Sequence, residues 1–280
     1  MRDLNVSIIT SAIKEMFIKM NYELGDDVCG AIQSAKDAES NPLAQDVLSV
    51  LLENLQVASD QDIPICQDTG MAVVFIEVGQ EVHLTGGSLE DSINQGVREA
   101  YQEGYLRKSV VSDPILRENT KDNTPAVIHY KIVPGDSLRI QGAAKGFGSE
   151  NMSRIKMLKP SDGVPGIMDF VLETVKEAGP NPCPPIVVGV GIGGTMEKAA
   201  QMAKEALLRP LGTSSHLPHI KDLEDALIKN INLLNVGPQG FGGDTTSLGV
   251  CIETFPTHIA GLPVAVNINC HVARHREITL

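Results

Sequence analysis

Four short apolar runs place the tightest constraint on how this chain can fold. They read MAVVFIEV, IVVGVGIGG, SLGVCIETF and LPVAVNINC, start at positions 71, 186, 247 and 262, and adjoin turn-forming residues. Apolar runs of this length, rich in valine and isoleucine, predict buried β-strands. All are far shorter than the ~20 apolar residues that a membrane-spanning helix needs. A membrane-spanning segment is therefore not expected.

Apolar residues at helical spacing occupy much of the remaining sequence. The pattern covers roughly the first 60 residues, which are predicted to be helical, and returns over 163–178 and 195–209. There is no regular strand–helix–strand period and no internal repeat. The order predicts a mixed α/β (α+β) fold with helices around mixed β-sheets. A single elaborated domain over residues 1–280 is expected, with two interleaved lobes as the alternative.

The net charge of the chain indicates which classes of binding partner are expected. It carries 35 acidic against 23 basic side chains, a net charge of −12, and no long basic run. A nucleic-acid partner is not expected, because binding a polyanion requires a cationic surface. A small anionic substrate is compatible with this net charge, since a few local cations can dominate the electrostatic field within one pocket. The N-terminal residues lack the apolar core of a signal peptide, so a cytoplasmic location is expected.

Five cysteines are dispersed along the chain, an odd and scattered set that argues against a disulfide framework. Cys66, Cys183 and Cys270 lie in the loop-like contexts PICQDTG, GPNPCPP and NINCHVARH. They could be buried thiols, a nucleophile or metal ligands. Three thiolates on a [4Fe–4S] cluster would leave one iron open to act as a Lewis acid. Cys29 and Cys251 lie in helix-like and strand-like contexts and are expected in the core.

Three glycine-rich segments are candidate ligand-binding loops. In AAKGFGSENMSRIKML, Gly146 and Gly148 allow the backbone to approach a ligand, although Ser149 could equally cap a helix. GVGIGG at 189–194 superficially matches a dinucleotide-binding loop but lacks the acidic residue that such a site needs. QGFGGDTTSLG at 239–249 lacks the GK[ST] ending of a P-loop, which favours a tight structural loop.

Three further residues are candidates for binding or proton transfer. Asp68 follows Cys66 by two positions, and a carboxylate beside a metal site is well placed to transfer protons. Arg107 could bind a carboxylate through two parallel hydrogen bonds, or be solvated at the surface. His258, in FPTHIAGLP, could be structural or catalytic.

Five segments in one order resemble the catalytic N-terminal region of class I fumarases, which the related L-tartrate dehydratase α subunits share. They are ICQDTG, AAKGFGSENMSRIKML, NPCPPIVVGVGIGGTMEKAA, GPQGFGGDTTSLGV and HIAGLPVAVNINCHVAR, and the resemblance runs from about residue 10 to the end. It implies an iron–sulfur hydro-lyase domain of the α type over residues 1–280. The implied cofactor is a [4Fe–4S] cluster on Cys66, Cys183 and Cys270, and the implied reaction is reversible hydration of fumarate to L-malate.

The resemblance also implies roles for single residues. Gln67 and Asp68 match the substrate-contacting pair after the first cluster thiolate, with Asp68 as the proton-transfer group. Arg107 matches a carboxylate-binding arginine, and Gly148 matches a backbone contact to the substrate. His258 matches a histidine that reaches the active site of a neighbouring subunit, which would make dimerisation part of catalysis.

Partners are implied in the same way. Single-chain family members continue into a smaller C-terminal domain that supplies further site residues, whereas this sequence ends soon after the third cysteine. The resemblance therefore implies a separate β subunit, in an α2β2 assembly with an α–α contact and a small dicarboxylate substrate. The alternatives are an L-tartrate dehydratase α subunit, a non-catalytic electron-transfer iron–sulfur subunit and a dinucleotide-binding module. An electron carrier usually has four thiolates rather than three.

Overall fold

The computed structural model describes all 280 residues, and the chain divides into two compact units. Unit 1 consists of Met1–Gly25, Leu55–Phe147 and Arg274–Leu280, and unit 2 of Asp26–Asn54 and Gly148–Ala273. Each unit contains a mixed four-stranded β-sheet and packed helices. The predicted mixed α/β fold class is therefore confirmed.

The first 60 residues are largely helical as predicted, but they begin with a short strand rather than a helix. In chain order the helices and strands are β1 (Arg2–Asn5), α1 (Val6–Tyr22), α2 (Asp26–Ala38), α3 (Pro42–Gln61), β2 (Met71–Gly79), β3 (Val82–Thr85), α4 (Leu89–Glu103), β4 (Val127–Val133), β5 (Leu138–Lys145), α5 (Phe147–Glu150), β6 (Arg154–Leu158), α6 (Gly163–Ala178), β7 (Ile186–Gly193), α7 (Met196–Ala206), α8 (Pro218–Asn232), β8 (Ser247–Phe255), β9 (Leu262–Asn269) and β10 (His275–Thr279). The four apolar runs form β2, β7, β8 and β9. None of the helices has the length and apolar character needed to cross a membrane.

Unit 1 is organised around β2. The sheet order is β10-β5-β2-β4, with β2 parallel to β4 and antiparallel to β5. Helices α1 and α4 contribute apolar side chains to the same core as β2 and β5. The two helices approach closely at Gly96, where a Cβ atom would lie 2.6 Å from the carbonyl oxygen of Thr10. The apolar stripes of both helices are thereby buried.

Unit 2 is organised around β7. The sheet order is β6-β9-β7-β8, with β7 parallel to β8 and antiparallel to β9. Helices α6 and α8 share an apolar core with Val188 and Val190 of β7. Helix α7 packs against the alternate residues, where a Cβ atom on Gly189 or Gly191 would lie 2.1 Å from a helix carbonyl oxygen. The glycines of the GVGIGG segment thus allow close helix–strand packing, which explains them without a dinucleotide.

Candidate functional site

The Asp68 carboxylate is held in place by two backbone amides of unit 1. Asp68 Oδ1 accepts a hydrogen bond from Gly70 N at 3.0 Å, and Oδ2 accepts one from Phe147 N at 2.9 Å. Gly70 adopts a φ of 75°, and a Cβ atom there would lie 2.7 Å from the carbonyl carbon of Ala144. Glycine is therefore required for the turn into β2. Hydrogen bonds to an ionised acceptor are among the stronger ones in proteins, so the carboxylate has a defined orientation.

Two buried cations lie next to Gly146, the residue that adjoins the Asp68 carboxylate. A Cβ atom on Gly146 would lie 3.2 Å from Asp68 Oδ2 and 3.8 Å from Arg274 Nη2. Arg274 is 3% exposed, and its Nη1 donates to Asn21 Oδ1 at 2.8 Å. Lys145 is also buried, with Nζ 3.5 Å from the carbonyl oxygen of Gly146. This local concentration of positive charge suits an anionic ligand.

Arg274 is the functional candidate that sequence reasoning missed. It belongs to the HVARH segment that follows Cys270, and in this part of the chain only the cysteine was predicted to be a site residue. Its sequence signal is weak, because a single arginine after Val272 and Ala273 resembles many surface arginines. Only the structure shows that its guanidinium group is buried.

Arg107 lies on a segment that is bonded to the Asp68 loop. The Thr69 hydroxyl, one residue after Asp68, donates to the carbonyl oxygen of Arg107 at 2.8 Å. The side chains of Arg107 and Gln67 are exposed, and Cys66 is partly exposed. Unit 1 therefore contains four of the predicted site residues on two bonded segments: Cys66, Gln67, Asp68 and Arg107.

Unit 2 brings together the backbone at Cys183 and Cys270. His271, which follows Cys270, donates its backbone N–H to the carbonyl oxygen of Cys183 at 3.4 Å, and its Nδ1 lies 3.0 Å from the same oxygen. Gln239 donates from both its backbone N and its Nε2 to the carbonyl oxygen of Pro184, each at 2.7 Å. Cys183 has a φ of 55°, which is uncommon for a residue other than glycine. The two cysteine loops and the glycine-rich loop at 239–249 thus form one cluster.

The exposure of the thiols separates the predicted ligands from Cys251 but not from Cys29. None of the five cysteines forms a disulfide. Cys183 is exposed, and Cys66 and Cys270 are partly exposed. Cys251 is buried as predicted, but Cys29, which was also expected in the core, is partly exposed. Burial raises the pKa of the Cys251 thiol to about 11, and burial also raises the pKa of Cys29 on α2. Cysteine thiolates are the ligands of iron–sulfur clusters, so three cysteines with exposed or partly exposed side chains are donors of a type that fits such a group.

The three candidate ligands are divided between the units, with Cys66 in unit 1 and the other two in unit 2. In neither unit do three or more histidine, cysteine, aspartate or glutamate side chains gather as they would around a single metal ion. The fit of an iron–sulfur cluster therefore rests on the chemistry of the thiols and on the adjacency of the Cys183 and Cys270 loops.

Gly148 is the first residue of the second segment of unit 2 and lies in an open position. It is exposed, and the nearest atom to an added Cβ would be the carbonyl oxygen of Asn181 at 3.7 Å. Packing within the unit therefore does not require glycine at this position. The open space leaves the backbone accessible to a ligand.

His258 lies in the exposed turn between β8 and β9. Its Nδ1 accepts a hydrogen bond from Ala260 N at 3.2 Å, and the neighbouring Ile259 is 91% exposed. Cys270 follows the opposite end of β9, and an eight-residue strand spans roughly 26 Å at ~3.3 Å per residue. Within one chain, unit 2 does not bring His258 to the cysteine loops.

The glycine-rich loop at 239–249 binds a carboxylate of its own unit. Buried Glu39 accepts hydrogen bonds from Asp244 N at 2.9 and 3.0 Å and from Thr245 N at 3.2 Å. A third backbone donor, Asn41 N, lies 3.1 Å from Glu39 Oε1. The backbone donors that could have cradled a phosphate are therefore already satisfied, which supports a structural role for the loop.

Sequence comparison defines the class of protein to which this site belongs. The sequence model of the family described as fumarate hydratase (fumerase) matches residues 10–279. The chain belongs to the fumarate hydratase family, a family of hydro-lyases. The resemblance drawn from the five motifs is confirmed.

Individual relatives carry more specific names. A Methanocaldococcus jannaschii protein provisionally named L(+)-tartrate dehydratase subunit alpha is 41% identical over 272 residues, which cover 95% of each chain. A protein of Escherichia coli strain K12 named L(+)-tartrate dehydratase subunit alpha is 34% identical over 278 residues, covering 98% of this chain and 91% of that protein. A protein of the same name from Shigella sonnei matches to the same extent.

Proposed function

We propose that this chain is the α subunit of a two-subunit hydro-lyase that reversibly adds water to fumarate to give L-malate. The observation that carries the proposal is the Asp68 carboxylate, fixed by two backbone N–H groups and flanked by buried Lys145 and Arg274. A fixed proton-transfer group beside positive charge is what hydration of a dicarboxylate requires. Membership of the fumarate hydratase family supports the same reaction class.

Cys66, Cys183 and Cys270 would hold a [4Fe–4S] cluster. When bound, the cluster supplies Lewis acidity at the iron that no thiolate holds, which makes hydroxide a better leaving group from malate. The partial exposure of Cys66 and Cys270 and the exposure of Cys183 distinguish these thiols from buried Cys251.

Asp68 exchanges a proton with the oxygen that is added or removed. Each of its oxygens accepts one backbone hydrogen bond, and a carboxylate oxygen has a second lone pair that remains suited to a substrate proton. In hydration Asp68 accepts the proton that water releases as its oxygen bonds to C2. In dehydration it returns that proton to the departing oxygen. The proton at C3 would be exchanged by a group of the β subunit.

The remaining predicted residues bind and orient the substrate. Arg107 would pair with one carboxylate by two parallel hydrogen bonds, and Gln67 would contact the substrate beside Asp68. The exposed backbone at Gly148 would form a further contact. His258 would reach the site of a neighbouring α subunit, in an α2β2 assembly. Its exposed position, at the opposite end of β9 from Cys270, supports a role outside its own chain.

L(+)-tartrate dehydration is the second candidate. The named relatives in Methanocaldococcus jannaschii and Escherichia coli support it. Tartrate carries one more hydroxyl than malate, and its dehydration needs the same carboxylate binding and the same proton transfer. The two candidate reactions differ in whether the site must also contact the additional hydroxyl of tartrate.

The cofactor is tested by reconstituting the chain with iron and sulfide without oxygen, followed by iron analysis and absorption spectroscopy. We expect about four irons per chain in the unmodified protein, as a [4Fe–4S] cluster requires. Cys66→Ala, Cys183→Ala and Cys270→Ala should each lose the cluster, whereas Cys29→Ala and Cys251→Ala serve as matched controls and should keep it. A cluster that survives Cys183→Ala intact contradicts the ligand assignment.

The reaction is tested on the reconstituted chain mixed with its β subunit. Fumarate hydration and L(+)-tartrate dehydration are measured separately, each with and without the β subunit. Activity on fumarate that appears only with both subunits supports the first proposal. Turnover of tartrate alone replaces it with the second, and turnover of neither overturns both.

A further inference from the structure

A buried polar network in unit 1 fastens the Arg107 segment to the residues that directly follow Asp68. The first attachment is the hydrogen bond from the Thr69 hydroxyl to the carbonyl oxygen of Arg107, at 2.8 Å. The second is Asn123, whose Oδ1 accepts from Ser109 N at 2.7 Å and from Val110 N at 3.1 Å. The segment 107–110 is therefore held by its backbone at three points.

The same asparagine is bonded to the Asp68 loop. Its Nδ2 donates to the carbonyl oxygen of Gly70 at 3.2 Å. The Tyr101 hydroxyl lies 2.7 Å from the carbonyl oxygen of Thr69 and 2.9 Å from that of Gly70. Burial raises the pKa of Tyr101, so its hydroxyl stays protonated and remains a donor. The loop and the segment thus share one set of buried anchors.

Asparagine is suited to position 123 by both its backbone and its side chain. Asn123 has a φ of 62°, a region that asparagine enters more readily than most residues with a side chain. It is 0% exposed, and its amide both accepts and donates within the network. A buried amide left without these partners would be unfavourable, because it would have lost its hydrogen bonds to water without replacing them.

The Asp68 carboxylate is bonded to Gly70 N and Phe147 N, and neither bond uses the Thr69 or Asn123 side chain. Without those side chains, the Tyr101 hydroxyl still holds the carbonyl oxygens of the Asp68 loop. Loss of the Thr69 or Asn123 side-chain bonds would therefore free the Arg107 segment while the proton-transfer group stays in place. The network therefore acts on the backbone of the Arg107 segment rather than on the Asp68 carboxylate.

We propose that Thr69 and Asn123 are positioning residues that set the placement of Arg107 relative to Asp68 and so determine how a dicarboxylate is bound. The inference rests on the proposed function of Arg107 and Asp68. An arginine on a loosened segment would bind both the substrate and the transition state more weakly, and the two affinities would fall by a similar factor. Such a loss raises KM and leaves kcat nearly unchanged.

The kinetic test uses the reconstituted complex of both subunits. Thr69→Val removes the hydroxyl at nearly constant volume, and Thr69→Ser restores it. We expect Thr69→Val and Asn123→Gly to raise KM for the dicarboxylate by about tenfold, equivalent to about 1.4 kcal/mol, with kcat within about threefold of the unmodified enzyme. Thr69→Ser should return KM to near its original value.

Thr174→Val is the matched control. Thr174 is buried in α6, and its hydroxyl donates to the carbonyl oxygen of Phe170 at 2.7 Å. Its substitution removes a comparable buried hydrogen bond outside the network and should leave KM unchanged. A purely structural role for Thr69 and Asn123 would lower kcat through a smaller active fraction and leave KM as it is. That result would overturn the proposal.

A second measurement does not depend on activity. Hydrogen exchange followed by mass spectrometry should show faster exchange at the Ser109 and Val110 amides in Asn123→Gly, and no change there in Thr174→Val. Unchanged exchange in Asn123→Gly overturns the network even in an active enzyme. A complex that turns over neither fumarate nor tartrate, with the expected exchange, overturns the proposed function and the positioning role that rests on it.

Discussion

Asp68 Oδ2 accepts a hydrogen bond at 2.9 Å from the backbone N–H of Phe147, a residue 79 positions further along the chain. The bond joins the ICQDTG segment to the KGFGS segment, two of the motifs that identify the family. Phe147 is the first residue of the short helix α5, so its N–H has no partner within the helix and is satisfied by Asp68 instead. The carboxylate is thereby presented in one orientation.

Asp68→Asn should lower kcat by about 10²- to 10⁴-fold, the usual contribution of a positioned acid–base group. The amide cannot accept the substrate proton, and its NH₂ group would face a backbone donor. Turnover by the reconstituted complex measures the effect, with iron content as evidence that the cofactor is retained. Asp46→Asn, at an exposed position on α3, is the control and should behave as the unmodified enzyme. Full turnover by Asp68→Asn would remove the carboxylate from the mechanism.

Gly148→Ala and Gly189→Ala form a matched pair that separates function from packing. An added Cβ at Gly148 meets its nearest atom at 3.7 Å, so the variant should fold with an unchanged melting temperature. Its methyl group would occupy space next to the backbone that the substrate is proposed to contact, and KM should rise. At Gly189 the added Cβ would lie 2.1 Å from the carbonyl oxygen of Ala203, and the variant should be strongly destabilised. Circular dichroism melts and KM together test the pair, and an unchanged KM for Gly148→Ala would argue against the contact.

Much of the fold could be predicted from sequence because its signals are local. The four apolar runs form β2, β7, β8 and β9, since each carries its own strand pattern. The structural role of the GVGIGG segment could not be predicted in this way. Its glycines fit the carbonyl oxygens of Ala199 and Ala203, and that proximity arises only when α7 packs on the sheet.

The site was less predictable, because its geometry depends on backbone groups that have no sequence signature. The bonds from His271 to the Cys183 carbonyl and from Asn123 to the Gly70 carbonyl join residues far apart in sequence. Arg274 could be found only through its burial. Residue types alone left the cysteines open to several roles, and the assignment of a cluster came from the family resemblance.

Glu39→Gln should destabilise unit 2, because the carboxylate is the acceptor for two backbone donors of the glycine-rich loop, Asp244 N and Thr245 N. Hydrogen bonds to a charged group contribute about 1.5–3 kcal/mol each to stability, and a glutamine keeps one acceptor oxygen. We expect a loss of about 2 kcal/mol in the free energy of unfolding, measured by urea denaturation. Glu53→Gln, at an exposed position on α3, is the control. Equal midpoints for the two variants would contradict the role of Glu39.

Cys251 should make the stability of the chain fall at alkaline pH. Burial raises the pKa of its thiol from 9.0 to about 11, so the folded state keeps the thiol neutral where the unfolded state has begun to ionise. The associated stability is fully present below pH 9 and is lost as the pH rises through about 11, by about 3 kcal/mol in total. Other groups titrate in the same range, so the measurement is the difference in free energy of unfolding between the unmodified chain and Cys251→Ala, followed from pH 8 to pH 11.5. The difference should shrink across this range, because the variant lacks the buried thiol, and a constant difference would show that the thiol does not titrate as its burial requires.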